Sequence, residues 1–159
     1  MGIKGLSKNV IKQVWRDGRL ADLPAGTRIG VDAAGWLHKS VVSNATALCT
    51  DESSTAHHSV FVRLLQQLLH AKLEVVLVFD GDRWALKRAT HTKRRNDRDA
   101  ALARAREAAS ASDWKTADKE YKKAVTVPDG FVGWVMQHVS DVQCVRSVVA
   151  NFEMFSSRS

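Results

Sequence analysis

Cysteine is almost absent from this 159-residue chain: Cys49 and Cys144 are the only two, far apart. No C-x-x-C or H-x₃-H spacing occurs, so neither a disulfide framework nor a zinc site is expected, and a reducing compartment fits. No apolar run approaches the ~18 residues of a membrane span, and the N-terminus lacks the apolar stretch of a secretory signal. Met1-Gly2 invites an acylation reading, but that motif needs Ser or Thr at position 6, where Leu6 stands. There is no domain linker. One stretch, 101–125, resembles a single tetratricopeptide-type helical pair. No second copy follows, and one such unit cannot bury a core alone.

What is present is a chain long enough for one domain or part of a larger one. Hydrophobic residues make up 45%, which excludes wholesale disorder. The net charge is +7, and its location says more than its size. Between Arg83 and Arg106 nine Lys/Arg face two acids, Asp97 and Asp99, so this window alone nets +7. The excess is one stripe, suited to a polyanionic partner.

The order of elements is legible from periodicity. A short helix is expected over 7–20, with Val10, Ile11, Val14 and Trp15 on one face. A buried strand follows over Arg28–Asp32, then a segment from Gly35 to about Cys49 that is helical near its start. A loop is expected at 49–56. Val60, Leu64, Leu65, Leu68 and Leu69 mark a core-facing helix over 58–72, and His57-His58 is expected to open it in solvent. Glu74–Phe79 is a second strand. Strand, helical crossover and strand predict a parallel βαβ unit with a right-handed crossover. Helices are then expected over 85–110, 113–125 (capped by Ser112 or Asp113) and 128–139, with a last strand at Val142–Val145. The five tryptophans are expected mostly in the core, with Trp84 free to touch a base.

Two carboxylates end the first two strands, Asp32 and Asp80. In an open parallel sheet ligands bind at the carboxyl ends of strands. Two acids a few Å apart repel by roughly 1–4 kcal/mol near a surface unless a cation lies between them. They are therefore candidate oxygen ligands for Mg²⁺. The competing reading is that Asp32 simply caps the next helix. Lys87, His91, Arg94 and Arg98 share one face of the basic helix, and Lys87 lies seven residues beyond Asp80. A cation there would stabilise the charge on a phosphate at the metal. The Lys93-Arg94-Arg95 cluster equally suits a solvated face or a nuclear-import sequence.

Met1-Gly2-Ile3-Lys4-Gly5-Leu6, Val31-Asp32-Ala33-Ala34-Gly35-Trp36-Leu37-His38-Lys39 and Val78-Phe79-Asp80-Gly81, in that order, resemble the N-terminal region of the flap endonuclease/XPG family. The Trp-Leu-His-Lys form is nearest to its exonuclease 1 branch. The resemblance runs from Met1 to about Val145. It implies an α/β, PIN-like 5′-nuclease fold: a partial central parallel sheet flanked by helices, with a basic helical arch. The boundaries expected are a nuclease-type domain over 1–145 and a divergent tail over 146–159.

The function implied is a structure-specific 5′→3′ DNA exonuclease or flap endonuclease. It would hydrolyse phosphodiesters with two Mg²⁺, in the nucleus, on flapped, nicked or 5′-recessed DNA, alongside repair or replication proteins. By the same resemblance Asp32 and Asp80 are metal ligands, and Lys87 and Arg94 contact the scissile phosphate. Arg95 and Arg98 bind DNA, Gly2 packs beside the site, and His38 stacks near the cleaved nucleotide. The family's next motif, Glu-Ala-Asp with two more carboxylates, is not matched by Arg146–Phe155. The expectation is a truncated chain with little activity alone. The alternatives are a nuclease-dead DNA-binding fragment and a helical protein-interaction domain.

Overall fold

The computed structural model describes residues 18–51, 53–80, 88–140, 142–143 and 145–150. The expected helix over 7–20 lies almost wholly outside them, as do Gly2, Trp15, Trp84, Lys87 and the segment after Ala150. After a 3-10 turn at Leu20–Asp22, the described order is β1 (Arg28–Asp32), α1 (Ala33–Val42), α2 (Ala45–Thr50), α3 (Ala56–His70), β2 (Glu74–Asp80), α4 (Arg88–Ser110), α5 (Trp114–Ala124), α6 (Asp129–Ser140) and β3 (Val145–Ala150).

The strands form one parallel sheet in the order β1-β2-β3, with Ile29 opposite Val75 and Val75 opposite Val145. The fold is thus α/β with the parallel pairing expected of the βαβ unit. Alternation along β2 decides which face is inside. Val75, Leu77 and Phe79 are buried, and Ile29 and Val31 join them in the core. Helices supply the rest: Leu37 and Val41 from α1, Phe61, Leu65 and Leu68 from α3, Phe131, Val135 and Val139 from α6. On the opposite face Arg28, Gly30 and Asp32 of β1 are exposed, and Val148 of β3 keeps 49% of its surface in solvent.

Several expectations are corrected. The last strand begins at Val145, where the expected strand over 142–145 ends. Val142 and Val145 are instead tied by turn bonds, Val142 N–H to Val139 C=O and Val145 N–H to Val142 C=O. Among the described residues β3 pairs with β2, and that register carries it through polar Arg146 and Ser147. After Asp32 the segment expected to be helical near its start holds α1 and then a second helix, α2. The Asn44 side chain donates to the Ser40 carbonyl at 3.0 Å, closing α1, and α2 turns to pack beside α5.

On α3 the buried stripe is His57, Phe61, Leu65 and Leu68, while Val60, Leu64 and Leu69 are half-buried. His57 is only 3% exposed, against the expectation of a solvated histidine pair. Its ring meets Phe131 edge-on at 4.3 Å, and His58 stacks on Trp134 at 3.8 Å. A helix start becomes core here because α6 lies over it. Trp36 and Trp134 are half-buried as part of that aromatic group, but Trp114 is 65% exposed. It stands at the first position of α5, past the end of α4.

Candidate active site

Asp32 and Asp80 are the last residues of β1 and β2. Asp32 is opposite Val78, and side chains of paired positions project to the same face. Asp80, two residues on, therefore shares that face on the neighbouring strand, diagonal to Asp32. Such diagonal neighbours have Cα atoms roughly 7–8 Å apart. Both residues are exposed. The register brings the two carboxylates together at the carboxyl end of the sheet.

Asp32 also caps α1: its Oδ1 accepts from the Ala34 N–H at 2.9 Å. Capping engages one carboxylate oxygen, so the two readings of Asp32 are compatible. That hydrogen bond fixes the side chain's direction, which a ligand needs. The donor chemistry fits Mg²⁺, which is commonly held by one or two carboxylates and completes its shell with water and phosphate oxygens. Among the described residues no group of three or more His, Cys, Asp or Glu side chains could share an ion. Asp32 and Asp80 are the candidate pair among the described residues.

The basic residues arrive on α4. It starts eight residues after Asp80 and runs 23 residues, while α5 has 11. At 1.5 Å per residue these are roughly 34 and 16 Å, so α5 braces only the C-terminal part of α4. Ala101 and Ala105 are buried there, whereas Lys93, Arg94 and Arg95 are exposed and Arg98 half-buried. The stripe is thus a basic limb projecting from a braced base. Lys87 and Gly2 lie outside the described residues. His38 is exposed on α1, six residues after Asp32.

At the other end of the sheet a cavity of about 180 Å³ is lined by Arg28, Glu74, Val75, Val76, Val145 and Arg146. Arg28 pairs with Glu74 at 3.0 Å there. Asp32 lies four positions along β1 from Arg28, roughly 13 Å, so this cavity is no part of the carboxylate pair's surroundings. Sequence reasoning missed one polar group in the hairpin, Glu120, buried between α4 and α5. It reads as one more surface charge in a run of Lys and Glu.

Residues 1–101 match the XPG N-terminal domain. The chain belongs to this family. Exonuclease 1 of Oryza sativa subsp. japonica is 33% identical over 127 residues, 80% of this chain and 15% of that protein. Exonuclease 1 of Arabidopsis thaliana is 29% identical over 153 residues, 96% of this chain and 20% of the relative. Flap endonuclease 1 of Cryptosporidium parvum (strain Iowa II) is 30% identical over 137 residues, covering 80% of the chain and 28% of the relative. This XPG-family chain therefore spans less than a third of the length of each of these relatives.

Proposed function

We propose that this chain carries the first metal-ligand pair and the phosphate-gripping limb of a 5′ nuclease acting on DNA. The observation that carries the reading is the diagonal placement of Asp32 and Asp80 on one face at the strand ends. Names of the relatives, exonucleases and a flap endonuclease, support the reaction class.

In this reading Asp32 and Asp80 hold Mg²⁺, with Asp32 oriented by its bond to Ala34. Bound there, one or two such ions would make a water nucleophilic and stabilise the leaving oxygen. Arg94, with Lys87, neutralises the scissile phosphate as charge gathers on it, an effect for which one donor commonly contributes 10²–10³ in rate. Arg95 and Arg98 grip the flanking backbone, which positions the strand without reading its sequence. Gly2 packs beside the site and His38 stacks on a base next to the break. Flapped, nicked or 5′-recessed duplexes in the nucleus are the substrates, with repair or replication proteins as partners.

The exposed Lys93, Arg94 and Arg95 of α4 support, as second reading, a module that binds DNA without turning it over. A cleavage assay on 5′-flapped DNA at millimolar Mg²⁺ separates them, with EDTA and Asp80→Asn as controls. Turnover removed by both controls supports the nuclease. DNA binding without turnover leaves the binding module. Turnover that survives Asp80→Asn would overturn the proposed site.

A further inference from the structure

Where α4 meets α5 the buried residues include Ala101, Ala105 and Ala117, each at 1% exposure or less, with Tyr121 of α5 at 4%. Alanine side chains carry no hydrogen-bonding group, so directional contacts across the seam come from other residues. One polar group crosses it. Glu120 of α5 has a side chain only 9% exposed. Its Oε2 accepts from Arg104 Nε at 2.9 Å and lies 2.8 Å from Arg104 Nη2. The other oxygen, Oε1, accepts from Lys123 Nζ on the same helix. The two Arg104 contacts are directional; Glu120 is buried while the Arg104 side chain is 54% exposed, and fixing register is the best-attested use of an ionic group in a core. Beyond Ala101 the limb is largely exposed, so an error in direction at the seam grows along it.

We infer that Glu120 is a positioning residue: through Arg104 it sets the direction of the basic limb that carries Arg94, Arg95 and Arg98. This rests on the proposal that the limb grips DNA. It makes a prediction opposite in sign to simple electrostatics. Glu120→Gln raises the net charge from +7 to +8, which alone would tighten DNA binding. Loss of the limb's direction weakens it instead.

The test has two readouts on the whole chain, in a background with Cys49→Ala and Cys144→Ala. Spin labels at Asn96→Cys on the limb and Gln66→Cys on α3 report the distance distribution, and DNA affinity is measured in parallel. Glu120→Gln is expected to broaden the distribution and lower affinity about 5–10-fold. Arg104→Gln and Lys123→Gln serve as a matched pair, because each leaves +6 and only Arg104 reaches across the seam. Arg104→Gln should broaden the distribution and Lys123→Gln should not, a comparison that stands even where Glu120→Gln fails to fold. An unchanged distribution in Arg104→Gln overturns the inference whatever DNA binding does. So does a broadened distribution with unchanged or tighter binding. Failure of the parent protein to bind DNA overturns the proposed function instead, and the distance data identify that case.

Discussion

His57 is the residue whose surroundings contradict its chemistry most. It is buried at the start of α3, and neither ring nitrogen has a hydrogen-bond partner among the described residues. Burial first, and the neighbouring His58 second, push its pKa below the ordinary 6.5. His58 is lowered too, by burial and then by His138, which stacks on the far side of Trp134 at 4.8 Å. A depressed histidine pKa means the folded state binds its proton less readily than the unfolded chain. Stability is therefore fully present above about pH 6.5 and falls as pH drops below it. Urea unfolding at pH 7.5 and 5.5 should show the loss, with the dependence reduced in His57→Phe. At neutral pH that variant should gain about 1 kcal/mol, since it removes a buried polar group without a partner. A variant as pH-sensitive as the parent would place the effect elsewhere.

At the scale of elements, the α4–α5 hairpin turns on Ser112, whose φ of 60° is left-handed. For a residue with a Cβ that conformation costs roughly 1–2 kcal/mol. Ser112→Gly should raise the stability of the hairpin by about 1 kcal/mol, read as a shift in the unfolding midpoint; an unchanged midpoint would show the turn is relaxed. Asp113 then caps α5, accepting from the Thr116 N–H at 3.1 Å, one of the two caps the sequence offered. The basic limb carries its own prediction. DNA affinity should fall with salt at a log–log slope of about −0.9 per phosphate neutralised. Arg94→Ala/Arg95→Ala should make that slope shallower by about 2. An affinity flat between low and physiological salt would remove the limb from the interface.

For the whole molecule, the sheet's two faces predict opposite tolerances. Phe61 is 1% exposed and touches Trp36 and Phe131; Phe61→Ala should cost about 3–5 kcal/mol. Val148 lies on the exposed face, and Val148→Thr should stay within about 0.5 kcal/mol. The open face also predicts self-association of the chain expressed alone, which Val148→Lys should reduce in sedimentation. A Val148→Thr cost near that of Phe61→Ala would show that the face is covered in solution.

Periodicity and composition by themselves determined the βαβ unit, the long basic helix, the hairpin after it and the pair of aspartates at strand ends. Each is a local property: apolar spacing selects helix or strand, and strand order with crossover length selects parallel pairing. The ordered N-terminal motifs likewise placed the chain in its family before any fold was known. Other features depended on what lies across from a residue, which no local pattern contains. His57 is core because α6 covers it, although two adjacent histidines at a helix start resemble a solvated cap. The last strand begins at Val145 because hydrogen bonding to β2 sets its register, whereas apolar content alone pointed to 142–145. Glu120 is buried because α4 and α5 close around it, and one charge in a run of Lys and Glu gives no sign of that. Sequence chose Asp32 and Asp80 as separate strand ends; pairing β1 with β2 put them on one face, because only backbone hydrogen bonding between strands fixes their relative height.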